Sequence, residues 1–413
     1  MPGLKLSRNE GVKLFGPMSV TVGRGCVDVH GKITCAGERF IIHRTRNYVV
    51  IAVEDSELDV SMIDESQIQA LEETDPYREK RVVINDILKN NYRKVVVVGC
   101  VDCGKTSFVT MTYNVLLSSG RRPVVIDGDV GQADIGPPGF VSMGFSEAPV
   151  YWINELKPAM MRFIGDIKPH GYSSLIIHEI KKLAEASSAK GFDSIIVDTD
   201  GWVKDEPGIN HKFSLIEELK PDAIVVLGED LKDIFKHFSK LGIRIYELNV
   251  PKHRKTRSRE ERRMLRSYKY REFLENAGLV RLKMDGVLIQ GCGLFHGVEI
   301  DASSIGKLIE GKVIYATKLP GQLNIYGSIK TYHGDELKNM GFEKVKIYPT
   351  GFEKGLYCAV GLLGGTEYPC LIEKFDFESR EVALRTKYNS KIEVLKLSKI
   401  KLTQDFTEEY IEV

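Results

Sequence analysis

The feature that most constrains the fold is a phosphate-binding loop signature between two contrasting segments. Residues 99–106 read Gly-Cys-Val-Asp-Cys-Gly-Lys-Thr, which fits the pattern G-x-x-x-x-G-K-[ST]. Residues 95–98, immediately before it, are all valine, as expected of a strand buried on both faces of a parallel sheet. Residues 106–117, immediately after it, are expected to form a helix. A strand, a glycine loop and a helix in this order predict an α/β domain that binds a nucleoside triphosphate.

The chemistry of this loop assigns roles to its residues. Backbone amides and the positive end of the helix hold phosphate oxygens, Lys105 reaches the β- and γ-phosphates, and Thr106 ligates Mg²⁺. The alternative is a glycine turn that binds nothing. Cys100 and Cys103 form a C-x-x-C pair, which we interpret as loop positions rather than a redox or zinc site, because there is no second C-x-x-C. The predicted nucleotide-binding residues are Gly99, Asp102, Cys103, Gly104, Lys105, Thr106, Ser107 and Gln132.

Acidic residues follow two further predicted strands. Residues 127–132 read Asp-Gly-Asp-Val-Gly-Gln, and residues 198–202 read Asp-Thr-Asp-Gly-Trp. Ligands of α/β sheets bind at the carboxyl ends of the strands, where these side chains are expected. A carboxylate there can support Mg²⁺ or accept a proton from an attacking hydroxyl, although a turn or capping role is the alternative for each aspartate. We predict Thr106, Asp127 and Asp129 as metal ligands, while Asp198 and Asp200 remain open as the acidic Walker B residue.

The order of the segments predicts three domains. Short alternating strands punctuated by glycine predict an N-terminal β domain with a helical connector over residues 1–92. Buried strands alternating with helices predict a P-loop domain with a parallel sheet over residues 93–290. Alternation without long helices returns in residues 291–413, which predicts a β-rich C-terminal domain. The expected fold class is α/β, with a central P-loop NTPase domain flanked by β-rich domains.

Composition excludes several classes of protein. The 413 residues are 43% hydrophobic and 28% charged, and no apolar run approaches the roughly 18 residues of a membrane-spanning helix. We therefore expect a soluble, cytoplasmic protein without a membrane partner. Seven cysteines spread through such a chain favour reduced thiols. The absence of N-K-x-D and L-S-G-G-Q segments disfavours GTPases and ABC ATPases.

The net charge of +1 means that any basic site must be local, and one basic run stands out. Residues 251–271 hold ten basic side chains against two acidic ones. A solvated helix face is the alternative, but after an NTPase core we predict a lid over the phosphates, with Arg262 and Arg266 as catalytic cations. The basic residues are Lys252, Arg254, Lys255, Arg257, Arg259, Arg262, Arg263, Arg266, Lys269 and Arg271.

Together the glycine loop, the D-x-D-V-G-Q segment, the T-x-G-W segment and the arginine-rich lid resemble the polynucleotide 5′-hydroxyl kinases, relatives of the pre-mRNA cleavage-factor RNA kinase and the pre-rRNA processing kinase, archaeal members above all. The resemblance implies that Lys105 and Thr106 bind ATP and Mg²⁺, and that Asp129 activates the 5′-hydroxyl. It implies that Gln132 orients the phosphoryl region and that the N-terminal domain helps to hold the adenine.

The resemblance also implies a substrate site. Residues 165–169 correspond to a clasp that grips the terminal nucleotides, with Lys168 and Pro169 as contacts, and Trp202 corresponds to a base-stacking aromatic. A tryptophan packed in the core is the alternative for Trp202. Two departures are a lysine where the family has threonine in the clasp, and two aspartates before Gly-Trp where the family is less acidic.

The predicted activity is transfer of the γ-phosphate of ATP to the 5′-hydroxyl end of RNA, with DNA as an alternative substrate, by Lys105, Asp129, Arg262 and Arg266. RNA-processing proteins are predicted partners. Two other functions remain open: an ATP-binding scaffold subunit with little turnover, and an ATPase motor stimulated by nucleic acid.

Overall fold

The computed structural model describes residues 3–72, 75–250 and 256–411. Within these ranges no helix has the length and apolar character needed to span a bilayer. The chain separates into two compact units, each with its own core. The first comprises Met1–Gly136, Val141–Met160 and Lys168–Arg262, and the second comprises Pro137–Phe140, Met161–Ile167 and Arg263–Val413.

The first unit begins with nine short strands, as the alternating pattern predicts. They form two antiparallel sheets, with strand orders β1-β8-β3-β6 and β5-β4-β7-β2-β9. Alternate residues of these strands are buried because successive side chains of a strand point to opposite faces. The strands are β1 (Gly3–Leu6), β2 (Gly11–Phe15), β3 (Met18–Arg24), β4 (Cys26–Val29), β5 (Lys32–Cys35), β6 (Arg39–Ile42), β7 (Asn47–Ala52), β8 (Ser56–Ser61) and β9 (Ile68–Ala70).

The prediction that all thiols are reduced is wrong for one pair. Cys26 and Cys35 form a disulfide across the hairpin of β4 and β5. These strands pair antiparallel with Cys26 directly opposite Cys35, which brings the two Cβ atoms close enough to bridge. No second disulfide occurs among the described residues, so Cys100 and Cys103 of the phosphate loop are not disulfide-bonded.

The connector is the predicted helix, and a sheet of seven strands follows. The five strands in the order β11-β14-β10-β15-β16 run parallel, but β12 pairs antiparallel with β11, so the sheet is mixed rather than purely parallel. The elements are α1 (Tyr77–Lys89), β10 (Lys94–Gly99), α2 (Lys105–Ser118), β11 (Pro123–Asp127), β12 (Phe140–Phe145), β13 (Lys157–Phe163), α3 (Ser173–Ala189), β14 (Ser194–Asp198), α4 (Glu206–Leu219), β15 (Ala223–Leu227), α5 (Glu229–Phe235), β16 (Arg244–Leu248) and α6 (Arg259–Leu274).

The strand order places three chemically important strand ends side by side. Strand β14 lies between β10 and β11, and in the register of the sheet Asp198 is opposite both Val97 and Asp127. The phosphate loop leaves β10 at Gly99, and the two acidic segments leave β11 and β14 at the same edge. Parallel strands therefore collect the predicted catalytic residues at one carboxyl edge.

The second unit contains two further sheets, with orders β17-β25-β24-β23-β26-β18 and β19-β20-β21-β22, while β27 pairs with β26. Since β17 and β18 belong to the first of these, the C-terminal sheet begins before the predicted boundary at residue 291; the three-domain division stays a prediction. The elements are β17 (Gly278–Lys283), β18 (Leu288–Gln290), β19 (Val298–Glu299), α7 (Ala302–Gly306), β20 (Ile309–Leu319), β21 (Gln322–Tyr332), α8 (Gly334–Asn339), β22 (Lys344–Pro349), β23 (Leu356–Gly361), β24 (Glu367–Asp376), β25 (Glu381–Thr386), β26 (Val394–Leu402) and β27 (Glu408–Tyr410).

Candidate active site

The phosphate loop has the backbone that its glycines permit. Gly104 has a φ of 96° and immediately precedes α2, so the first amides of that helix face the loop. Lys105 is buried, and its Nζ donates to the carbonyl oxygens of Gly99 at 3.0 Å and Cys100 at 2.8 Å. The lysine thus folds back over its own loop, where a bound phosphate oxygen can replace either carbonyl.

The two aspartates after β11 have different environments. Both oxygens of Asp127 accept backbone amides: Oδ2 from Asp134 at 2.7 Å and Ile135 at 3.0 Å, and Oδ1 from Asp129 at 3.2 Å. Asp129 uses a single oxygen, Oδ1, to accept the amides of Gly131 at 3.0 Å and Gln132 at 2.9 Å. Asp127 therefore shapes the loop, whereas Asp129 keeps one oxygen for other chemistry.

Asp198 is the acidic residue closest in character to a Walker B aspartate. It is buried, and its Oδ1 has no hydrogen-bond partner among the described residues. Burial raises the pKa of its carboxyl to about 7, against the opposing effects of the Lys105 ammonium and a hydrogen bond with Thr106. An unpartnered buried oxygen beside the Thr106 hydroxyl is a suitable ligand for a hard cation.

Asp200, the other open candidate, is occupied by an ion pair. Its Oδ2 lies 2.6 Å from the Nζ of Lys212, a fully buried lysine, and 3.5 Å from Nε2 of His211. Burial alone would raise the pKa of Asp200, but the Lys212 ammonium and His211 hold it well below the usual range. The second aspartate of this acidic segment is thus neutralised inside the protein.

The same network positions Trp202. Oδ1 of Asp200 accepts the backbone amide of Trp202 at 2.8 Å. The partly buried indole stacks on the ring of His211, with centroids 5.9 Å apart, and meets the edge of His170 at 5.8 Å. His170, which directly follows the predicted clasp contacts Lys168 and Pro169 in the sequence, therefore packs against Trp202. Lys168 is exposed and Pro169 is partly buried.

The lid arginines have separate partners. Arg262 pairs with Asp102 of the phosphate loop, at 2.7 Å from Nη2 to Oδ2, and the same oxygen accepts the backbone amide of Arg257. Arg266 pairs with Glu408 within the second unit. The side chain of Asp102, predicted to bind nucleotide, thus holds the start of the lid. Lys252, Arg254 and Lys255 lie outside the described residues.

One cavity contains most of the predicted site, and all of its lining residues belong to the first unit. The predicted residues that line it are Asp102, Cys103, Gly104, Lys105, Thr106, Ser107, Asp127, Asp129 and Gln132. The predicted residues that do not line it are Gly99, Lys168, Pro169, Trp202, Arg262 and Arg266. Asp198 and Thr199 also line it, which joins the two acidic segments to the phosphate loop.

The N-terminal sheets supply a wall of this cavity that sequence reasoning did not resolve into residues. Arg46 pairs with Asp134 at 2.7 Å, its guanidinium stacks 4.7 Å from the ring of Trp152, and the ring of His30 lies 5.5 Å from that of Trp152. Burial, with the nearby Lys80 ammonium, lowers the pKa of His30 to about 3, so this ring stays neutral. Because these contacts join segments that are distant in sequence, no local sequence pattern predicts them.

Lys80 also lines the cavity and was not predicted from the sequence, although its position in a helical apolar stripe could have indicated it. The buried positions of α1 include Tyr77, Lys80, Ile84 and Ile87, which follow the helical spacing of an apolar stripe. A lysine in such a stripe has a buried stem and a charge that needs a partner. Its Nζ donates to Ser107 Oγ at 2.7 Å.

The residues present fit a magnesium ion held jointly with phosphate oxygens. No group of three or more His, Cys, Asp or Glu side chains able to hold a metal occurs in the described residues. Mg²⁺ usually keeps several waters and takes one or two carboxylates plus substrate phosphates, so a full protein cage is not required. The Thr106 hydroxyl and the unpartnered oxygen of Asp198 suit this role better than Asp127, whose oxygens accept amides.

Comparisons with known proteins identify relatives of this chain. Residues 99–276 match the family described as mRNA cleavage and polyadenylation factor CLP1 P-loop. A polyribonucleotide 5′-hydroxyl kinase of Pyrococcus abyssi is 35% identical over 231 residues, covering 55% of this chain and 64% of that protein. A polyribonucleotide 5′-hydroxyl kinase of Thermococcus kodakarensis is 31% identical over 278 residues, covering 65% of this chain and 78% of that protein. The chain thus spans just under two thirds of the length of the first relative.

The fold comparison extends further along the chain. The solved structure of Clp1p in complex with a Pcf11p fragment superposes with a TM-score of 0.65, at 14% identity and with 97% of both chains covered. At that identity the match shows the fold alone. The Thermococcus kodakarensis relative, 31% identical and covered over 78% of its length, together with the match of residues 99–276 to the CLP1 P-loop model, shows that the chain belongs to the family of CLP1 proteins and polyribonucleotide 5′-hydroxyl kinases.

Proposed function

We propose that the chain is an ATP-dependent polynucleotide 5′-hydroxyl kinase. One observation carries the proposal: Lys105 and Thr106 of the phosphate loop share a cavity with Asp129 and Asp198. A phosphate cradle is thereby combined with two carboxylates at the strand edge, next to the loop that bears Trp202. The names of the archaeal relatives, which are kinases of polyribonucleotide 5′-hydroxyls, support the same activity.

The proposed reaction gives each of these groups a role. The oxygen of a 5′-hydroxyl attacks the γ-phosphorus of ATP, the bond between that phosphorus and the β–γ bridging oxygen breaks, and ADP leaves. The hydroxyl proton passes to Oδ2 of Asp129, the oxygen that accepts no backbone amide. Lys105 leaves its carbonyl partners and neutralises the β- and γ-phosphates as charge moves to the leaving oxygen.

Further residues complete the arrangement. Thr106 and Asp198, with Asp129, would hold Mg²⁺, which supplies charge neutralisation of the β- and γ-phosphate oxygens when bound. Arg262 is the lid arginine with the stronger structural support, because it contacts the phosphate loop and its Nε is buried without a hydrogen-bond partner among the described residues. The face of Trp202 offers a stacking surface for a terminal base without a demand for sequence.

We propose RNA as the substrate, because the archaeal relatives are named as kinases of polyribonucleotides. DNA is the alternative, since stacking and phosphate contacts do not by themselves distinguish the two. An RNA-processing partner is a further proposal, prompted by the likeness in fold to Clp1p, which was solved bound to Pcf11p. Gln132 and the wall containing Arg46 and Trp152 are proposed to contact the phosphoryl region and the adenine.

The test uses γ-labelled ATP and matched RNA and DNA oligonucleotides that carry either a 5′-hydroxyl or a 5′-phosphate. We expect label on the 5′-hydroxyl strands alone, and the ratio of RNA to DNA labelling gives the preference. Release of labelled phosphate with no labelled strand would instead identify an ATPase. Tight ATP binding with neither product would identify a scaffold subunit.

A further inference from the structure

A second lysine meets the phosphate loop from outside the loop motif. Lys80 lies in α1, is 8% exposed, and reaches Ser107 in the first turn of α2. A Cβ atom placed on Gly104 would lie 3.5 Å from the Lys80 Nζ and 3.7 Å from Ser107 Oγ. The ammonium of Lys80 is therefore positioned over the turn that leads from the loop into the helix, where the backbone amides cradle phosphate.

The charge pairing of the cavity sets the buried lysines Lys80 and Lys105 apart from Lys13 and Arg46. Among the cations that line it, Lys13 lies 3.6 Å from Asp75 and Arg46 lies 2.7 Å from Asp134. In the parts of the chain that the structure describes, neither Lys80 nor Lys105 has a carboxylate oxygen within 4.0 Å. A buried ammonium without an anionic partner is costly, and such an arrangement is expected where a ligand supplies the anion.

The two lysines face different parts of a bound nucleotide. Lys105 is under the electrostatic influence of Asp198 and Asp129, on the side where the γ-phosphate is transferred. Lys80 hydrogen-bonds two residues further along α2, and its charge acts on His30 in the wall contributed by the N-terminal sheets. Lys80 thus lies between the phosphate loop and that wall, towards the nucleoside end of a phosphate chain.

We propose that Lys80 is a positioning residue that binds the α- and β-phosphates of the nucleotide and so sets the affinity for ATP and ADP alike. This inference rests on the proposed function for its choice of ligand, a nucleoside diphosphate group. Lys105 then neutralises the negative charge that shifts between the β- and γ-phosphates during transfer. Lys80 binds the α- and β-phosphates, which are present in both ATP and ADP.

The protonation of Lys80 provides a second readout. Burial lowers its pKa to about 8; Asp75 and Cys103 act to raise it, and Lys13 lowers it further. The other titratable ring beside it, His30, is neutral above a pH of about 3. Only the ammonium form attracts phosphate, so ADP affinity should fall as the pH rises through about 8.

The experiment compares Lys80→Met, Lys80→Arg and the matched control Lys89→Met, which removes an exposed lysine at the end of the same helix. Equilibrium binding of ADP and ATP is measured across that pH range, alongside kcat and KM for transfer. We expect Lys80→Met to weaken both nucleotides by about tenfold to a hundredfold, with kcat within a few-fold and without the alkaline fall in affinity. Lys80→Arg should retain most of the affinity, and Lys89→Met should match the wild type.

Unchanged ADP affinity in folded Lys80→Met overturns the proposal, as does a loss confined to ATP. If Lys80→Met does not fold, Lys80→Arg and the wild-type pH profile decide: a wild-type ADP affinity that stays constant through a pH of about 8 overturns it equally. ADP binding is measured without phosphoryl transfer. A chain that binds ADP through Lys80 but labels no oligonucleotide would therefore refute the kinase and leave this assignment intact.

Discussion

Replacement of Asp129 by asparagine should separate catalysis from folding more cleanly than any other change at the strand edge. Both hydrogen bonds that backbone amides donate to this side chain end on the same oxygen, Oδ1. The carbonyl of an asparagine can accept both, while its NH₂ group takes the place of the oxygen that we assign to proton transfer. Asp129→Asn therefore keeps the turn and removes only the negative charge.

The expected loss of rate follows from the proposed role of Asp129 as the general base. Loss of a general base slows transfer by about 10² to 10⁴. ATP affinity should stay within several-fold of wild type, because the phosphate loop is untouched. Asp127→Asn is the matched contrast, since its two oxygens accept three amides in total and an NH₂ group must then face at least one N–H donor. One or two buried N–H donors left without an acceptor correspond to about 2–5 kcal/mol of the free energy of unfolding.

The assay is single-turnover transfer from saturating ATP to a 5′-hydroxyl oligonucleotide, with thermal unfolding of each variant measured in parallel. We expect Asp129→Asn to melt near the wild type and to transfer at least about a hundredfold more slowly. Asp127→Asn should melt at least about 5 °C lower. Near-normal transfer by Asp129→Asn refutes the assignment and makes Asp198 the residue to examine, and an unchanged melting temperature for Asp127→Asn refutes its structural role.

Three further outcomes are expected. Lys105→Ala should abolish both tight ATP binding and transfer, measured by equilibrium binding and labelling; near-normal labelling by the folded variant would contradict the phosphate-loop assignment. Trp202→Ala should weaken oligonucleotide binding by about 1–3 kcal/mol with ATP affinity intact, whereas an equal loss of ATP affinity or unfolding would favour a packing role. Asp200→Asn should reduce the free energy of unfolding by about 3–5 kcal/mol because it strands the buried Lys212, and the added change Lys212→Met should restore most of it in denaturant titrations; additive losses would show that the two residues are not coupled.

Much of the site was predictable because its signals are local. The loop of residues 99–106 has its strand and helix beside it in sequence, and the aspartates follow directly after valine- and isoleucine-rich strands. In a parallel sheet such strand ends meet at one edge, so the sequence alone places Asp127, Asp129 and Asp198 at one site. The helical connector and the β-rich character of both flanking regions follow from residue periodicity in the same way.

The roles within that edge were not predictable, because they depend on single atoms. Asp127 accepts hydrogen bonds on both oxygens because the chain returns to it at Asp134 and Ile135. Asp129 accepts them on Oδ1 alone because of the local turn at Gly131 and Gln132. The distinction between Asp198 and Asp200 depends on Lys212, a residue of α4.

The sequence alone determined the fold class, the phosphate loop and the strand edge, since each is encoded by neighbouring residues and by the period of the secondary structure. Tertiary structure decided the partners of the buried charges. It paired Asp200 with Lys212, brought Lys80 to Ser107, and joined Cys26 to Cys35 through the strand register. The physical reason is that a buried charge is stabilised by whichever group lies within a few ångströms of it, and the packing of elements distant in sequence sets that distance.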